Sequence, residues 1–157
     1  MVVDIRVKKA PSYAVASMRY RGKYIGQDIL RPEFDELMQW AHMRKLRTGK
    51  WIFNELSEKQ WEACLEIKGK ARSHGKIKVK TLPAQLVASV KFDPDHVAAR
   101  LVYHGIEGWL RWRKKYGEYA SAGETREVYN GSPWTSPKAW ANAEMQFPVM
   151  RIGRPRM

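Results

Sequence analysis

Apolar and polar residues alternate at the start of the chain, with Ile5 and Val7 before Pro11 and Val15 and Ser17 after it. That period of two predicts a strand, and the proline breaks or bends it into two short pieces. The pattern then returns. Val7, Lys8, Pro11, Val15, Ala16 and Ser17 recur as Val79, Lys80, Pro83, Val87, Ala88 and Ser89, each 72 positions later. After the first copy, Phe34, Leu37, Met38, Ala41 and Leu46 fall on one face of a helix. Pro32 opens that helix, Arg44, Lys45 and Arg47 crowd its last turn, and Gly49 is expected to cap it. After the second copy, Asp93 and Pro94 are expected to start a helix whose apolar stripe is Val97, Leu101, Gly105, Trp109 and Trp112, with Gly117 at its end.

Each helix is followed by two strand-like stretches. These are 51-WIFN-54 and 61-WEACLEI-67 in the first half, and 126-REVYN-130 and 143-AEMQFPV-149 in the second. Phe53–Asn54 matches Tyr129–Asn130, Glu62 matches Glu144, and Trp51 stands where Glu127 does. The chain therefore reads as β-α-β-β twice, about 1–68 and 76–152, joined by 68–76. The expected class is α+β: one domain over 1–157, with pseudo-two-fold halves sharing an antiparallel sheet, both helices on one side and a groove between the halves.

Composition narrows the function. The longest apolar runs are only a few residues, well short of the roughly 20 that a membrane span needs, and the N-terminus lacks the pattern of a signal peptide. One cysteine, Cys64, excludes a disulfide framework within the chain, so the cytoplasm is the expected compartment. The net charge of +13 suits a polyanionic partner such as nucleic acid. However, the charge is spread over both halves. Its densest run, 68-KGKARSHGKIKVK-80, alternates lysines with Ile77 and Val79 as a strand with one wet face does. His42, His74, His96 and His104 lack zinc-site spacing and no glycine-rich phosphate loop occurs, so neither metal nor cofactor is expected. Cys64, between Ala63 and Leu65, reads as buried filler.

Candidate chemistry gathers in the second half. Glu127 and Tyr129 share one face of their strand. Glu144 and Gln146 share one face of the last strand, with Met145, Phe147 and Val149 on the core face. Trp134 and Trp140 stand in the intervening loop 131-GSPWTSPKAW-140, and Trp109 lies on the second helix. A carboxylate ringed by aromatics suits a cationic or amphipathic ligand. The same residues also fit a plain core with surface carboxylates.

The stretches 7-VKKAPSYAVASMRYRGKY-24, 61-WEACLEI-67, 79-VKTLPAQLVASVKF-92, 107-EGWLRW-112, 126-REVY-129 and 143-AEMQFPV-149 carry a family resemblance over nearly the whole chain. It resembles the GyrI-like small-molecule-binding domain, the effector-binding domain of AraC-type and MerR-type regulators, and is expected to stand alone without a DNA-binding module. The resemblance implies a groove that takes cationic or amphipathic drugs and toxins, with Glu127, Tyr129 and Glu144 on its motifs. Some stand-alone members resemble hydrolases that open strained cyclopropane rings, which would make Glu127 and Glu144 catalytic. Gly22–Tyr24 of the first copy has no counterpart in the second, which has Asp93–Pro94 there. Three functions follow: binding or sequestering a small molecule, hydrolysis of an electrophile, or interaction with gyrase or nucleic acid.

Overall fold

A proline has no N–H to give to a ladder, and the fold uses that gap twice. In the computed structural model, which describes residues 4–21, 26–57, 60–115 and 117–153, β1 (Arg6–Ala10) stops at Pro11 and β2 (Tyr13–Arg21) follows. β5 (Lys78–Leu82) and β6 (Gln85–Phe92) repeat the break at Pro83. The two pieces then join different neighbours. β1 pairs with β6, and β5 with β2, so each half lends its first strand to the other. Gly22 and Tyr24, the turn that distinguishes the two copies, lie outside the described residues.

The first half continues through α1 (Arg31–Met43), β3 (Arg47–Ser57) and β4 (Gln60–Lys68). The second continues through α2 (Ala99–Lys115), β7 (Tyr119–Ser121), β8 (Arg126–Tyr129), α3 (Pro137–Ala141) and β9 (Ala143–Arg151). Among the described residues the antiparallel sheet runs β1-β6-β9-β8-β3-β4-β2-β5, with β7 added against β9. Exchanging the halves reverses this order onto itself, so the fold is α+β with the expected pseudo-two-fold arrangement.

The ladders fix the register of that symmetry. Arg19 pairs with Glu62, and Lys91, 72 positions on, pairs with Glu144, so Glu62 and Glu144 correspond as expected. Asn54 pairs with Glu62 and Val128 with Glu144, which makes Phe53 the counterpart of Glu127. The matching of Phe53 with Tyr129, and of Trp51 with Glu127, is therefore two residues out. A slip of two keeps every side chain on its own face, so no hydrophobic pattern can detect it. Phe53 and Glu127 are direct cross-strand partners, and the pseudo-axis passes between them.

One sheet face carries both helices. Phe34, Leu37, Trp40 and Ala41 of α1 and Val102, Ile106 and Leu110 of α2 are buried against it. Fully burying a side chain such as Phe34 or Leu37 contributes about 1.5–3 kcal/mol. The other face curls over a smaller cluster of Tyr13, Val15, Ile52, Cys64, Leu82 and Val128. The α2 stripe is thus not the expected one. Leu101 is 47% and Trp112 59% exposed, because the buried row runs one position later. Asp93 closes a turn before the helix, accepting from the Asp95 N–H at 2.9 Å, and α2 begins at Ala99. Gly117 (φ 72) does end it, its N–H bonded to the Lys114 carbonyl.

Gly49 caps nothing, since α1 ends at Met43 and Lys45 (φ 56) makes the left-handed turn. Gly49 sits in β3, where a Cβ would stand 2.2 Å from Glu66 Oε1. That carboxylate accepts from the Lys50 N–H across the gap. The expected loop 131–140 holds most of α3, whose start is fixed by Ser136 Oγ accepting from the Ala139 N–H at 3.1 Å.

The repeated lysine has a structural task, which replaces its reading as one wet face. Lys8 Nζ reaches Glu144 Oε1 at 2.9 Å, and Lys80 Nζ reaches Glu62 Oε1 at 2.7 Å, so each exchanged strand is tied to the half it joins. Glu62 is fully buried, and Asn54 Nδ2 also donates to it. Removing one partner of a buried pair strands the other charge, so Lys80→Met should cost about 3 kcal/mol, the low end for such pairs. Lys8→Met, at a wetter pair, should cost about 1 kcal/mol. Urea midpoints of the two variants check this; equal losses would contradict it.

Candidate functional site

At the centre of the helix-bearing face two rows of side chains lie side by side. Trp51, Phe53 and Glu55 of β3 stand next to Tyr129, Glu127 and Thr125, an arrangement set by the β3–β8 ladder and the bond from the Glu55 N–H to the Thr125 carbonyl. Glu127 is 3% exposed and Tyr129 fully buried. The Tyr129 hydroxyl donates to Glu127 Oε2 at 3.2 Å. Phe53 packs on Tyr129 with centroids 5.3 Å apart, and Phe34 stacks on Trp51 at 4.8 Å. A buried carboxylate thus lies in a wall of aromatic rings.

The loop from Gly131 to Asn142 brings two more rings to this wall. Trp134 packs against Phe34 and Phe53 at 5.9 and 5.8 Å, and Trp140 stacks on Tyr129 at 6.1 Å. Each indole N–H is held by a carboxylate. Trp134 Nε1 donates to Asp28 Oδ1 at 2.6 Å, and Trp140 Nε1 to Asp95 Oδ1 at 2.9 Å. An open cleft of about 940 Å³ lies over the pair, lined by Asp28, Ile29, Pro133, Trp134, Pro137 and Trp140 among others. Asp28 and Asp95 escaped sequence reasoning because each lies 45 or more positions from its tryptophan.

Further along the same face stands a second acidic group. Burial and a hydrogen bond to Glu124, with its like charge, push the Glu55 carboxyl up to about 8. Burial, then a hydrogen bond to Glu107, pushes the Tyr103 hydroxyl up to about 12. Tyr103 packs on Phe147 with centroids 5.0 Å apart. Glu55, Glu124 and Tyr103 are not distinguished by their local sequence, and Glu107 stands out only as the first residue of the stretch 107–112.

Of the sequence-derived candidates, the structure brings together Glu127, Tyr129, Trp134 and Trp140. It separates Glu144, which pairs with Val128 and so points to the helix-free face, opposite Glu127. Among the described residues the two glutamates lie on opposite faces of the sheet and share no groove. Burial pushes the Glu144 carboxyl up, but hydrogen bonds from Gln146 and Lys8, the Lys8 charge and Ser89 outweigh it and hold the group below the usual range. Trp109 stacks on Tyr119 at 5.8 Å, under Arg113, near the end of α2. Cys64 is fully buried, and burial and the nearby Glu62 charge push its thiol well up, as befits inert filler. Among the described residues no three His, Cys, Asp or Glu side chains form a metal-binding group, and no helix is long and apolar enough to cross a membrane.

No family model and no curated protein matches the sequence significantly. Solved structures do match. The crystal structure of the EcmrR C-terminal domain has a TM-score of 0.73 at 19% identity, covering 97% of this chain and all of that one. The chain spans 58% of the EcmrR chain in its DNA complex. SAV2435 bound to tetraphenylphosphonium has a TM-score of 0.55 at 12% identity, covering 94% of each chain. A hydrolase from Listeria innocua has a TM-score of 0.59 at 9% identity, covering 94% of this chain and 92% of that one. At these identities the likeness is one of fold, and it is the fold that the GyrI-like resemblance implies.

The Glu55 carboxyl gives a pH signature. Between its ordinary 4.5 and about 8 the folded chain keeps a proton that the unfolded chain has released, so stability should fall as pH rises through that window. Glu124→Gln removes the like charge and should flatten the fall. Urea midpoints across the window check it; an unchanged slope in the variant would refute the pairing.

Proposed function

We propose that the protein binds a small amphipathic cation on the helix-bearing face, with Glu127 as the countercharge and Tyr129, Trp134 and Trp140 as the aromatic wall. The carrying observation is the 3% exposed Glu127, hydrogen-bonded to Tyr129 among these rings. A carboxylate removed from water attracts a cation more strongly than a solvated one does, and ring faces add to that attraction. The bound tetraphenylphosphonium of SAV2435, a fold neighbour, supports this ligand class. Sequestration of a drug or toxin, or service as an effector-binding module, both rest on such a site.

A second reading, hydrolysis of a strained electrophile, draws on the Glu55 carboxyl near 8 and on the Listeria hydrolase among the fold neighbours. A carboxyl still protonated at neutral pH can act as a general acid. In that scheme Glu55 and Glu127 take the parts first given to Glu127 and Glu144, since Glu144 faces away. Interaction with gyrase or nucleic acid gains nothing from this site, whose charge is negative.

Tryptophan-fluorescence quenching by tetraphenylphosphonium tests the first reading. Glu127→Gln should weaken binding about tenfold, equivalent to about 1.4 kcal/mol, while Glu144→Gln keeps the parent affinity. Equal effects of the two substitutions, or none from either, would overturn the assignment. Loss of turnover of a cyclopropane electrophile in Glu55→Gln, with quenching retained, would favour the hydrolase.

A further inference from the structure

The helix-free face carries a cleft of the opposite charge. It has a volume of about 670 Å³ and is bordered by Lys8 and Lys9 of β1, Lys50 of β3, Lys91 of β6 and Lys138 of α3, against one carboxylate, Glu144. That carboxylate is already engaged, by Lys8 Nζ at 2.9 Å and by the Gln146 amide. None of Lys9, Lys50, Lys91 and Lys138 forms an ion pair with a carboxylate among the described residues. The Lys50 ammonium donates to the neutral Asn130 side chain. Four separate elements, from both halves, thus converge like charges on one concavity, an arrangement that repels itself until an anion enters.

Gln146 gives a second, independent pointer. It is 2% exposed and borders the cleft, and its Oε1 has no hydrogen-bond partner. A buried acceptor left unpaired calls for a donor. The hydroxyl of a partly protonated phosphate supplies one. The related place in the first half carries an apolar side chain instead: Cys64 is the counterpart of Gln146 in the β2–β4 and β6–β9 registers. The polar residue at the base of the cleft is therefore not repeated by the shared frame.

We infer that this cleft binds a small multivalent oxyanion of the phosphate class, held by Lys9, Lys50, Lys91 and Lys138 with Gln146 at its base. A concave site of this volume fits a small molecule. The segment bearing α3 serves both faces, placing Trp140 at the aromatic cleft and Lys138 at the basic one.

Titration calorimetry of the full chain with pyrophosphate, at about 0.15 M salt so that diffuse surface attraction is screened, tests the assignment. Saturable binding of one pyrophosphate per chain is expected. The pair Lys50→Gln with Lys138→Gln should weaken it about tenfold or more, whereas the exposed pair Lys70→Gln with Lys114→Gln should not. Thermal melts of both pairs establish that each is folded. Absence of saturable binding would overturn the site. So would equal weakening by the two pairs, or a preference for duplex DNA that both pairs reduce alike; those results would mean attraction by the basic surface as a whole.

Discussion

The antiparallel contact between β3 and β8 is the constraint on which the rest of the molecule depends. It joins the two halves at the pseudo-axis and sets Phe53 directly beside Glu127. Because side chains alternate along a strand, that one register sends Trp51, Phe53 and Glu55 with Tyr129, Glu127 and Thr125 to the helices. The same register sends Ile52 and Val128 to the other side. The exchanged strands then secure the sheet from its edges. Lys8 and Lys80 each cross to a glutamate of the opposite half, so hydrogen-bond ladders and ion pairs make the halves interdependent.

Charge is sorted by the same alternation. The chain is strongly basic as a whole, at +13. Even so, the helix-bearing face gathers Glu127, Glu55, Glu124 and Glu107 among aromatic rings, while lysines collect across the sheet. Adjacent residues of β8 and β9, one step apart in sequence, end in surroundings of opposite sign. Alternation along each strand thus separates acidic and basic side chains onto opposite faces of one sheet.

Much of the frame was legible in the sequence. The 72-residue recurrence, its prolines and the alternation around them located β1, β2, β5 and β6. Local chemistry also marked Pro32 at the start of α1 and Gly117 past the end of α2. Where local signals misled, a tertiary contact had taken over. Gly49 looked like a helix cap and instead makes room for Glu66 in a strand. The tryptophans of α2 drew the apparent stripe toward Trp112, but packing chose Val102, Ile106 and Leu110. Face assignments held strand by strand: Glu127 with Tyr129, and Glu144 with Gln146. What strand periodicity lacks is the relation of one strand's faces to another's, and this is why Glu127 and Glu144 looked like partners.

The sequence by itself determined the duplicated α+β frame, the strands that carry the glutamates and the aromatic supply of the second half. These follow from local periodicity, from turn and cap residues and from a repeat visible without coordinates. Only the tertiary structure decided which side chains meet. It set Glu127 against Phe53 and turned Glu144 away. It brought Asp28 and Asp95 to the two indoles, and it assembled lysines from four elements around Gln146. The physical reason is that register and face-to-face placement are fixed by hydrogen-bond ladders and packing between segments far apart in the chain, where neighbouring residues exert no preference.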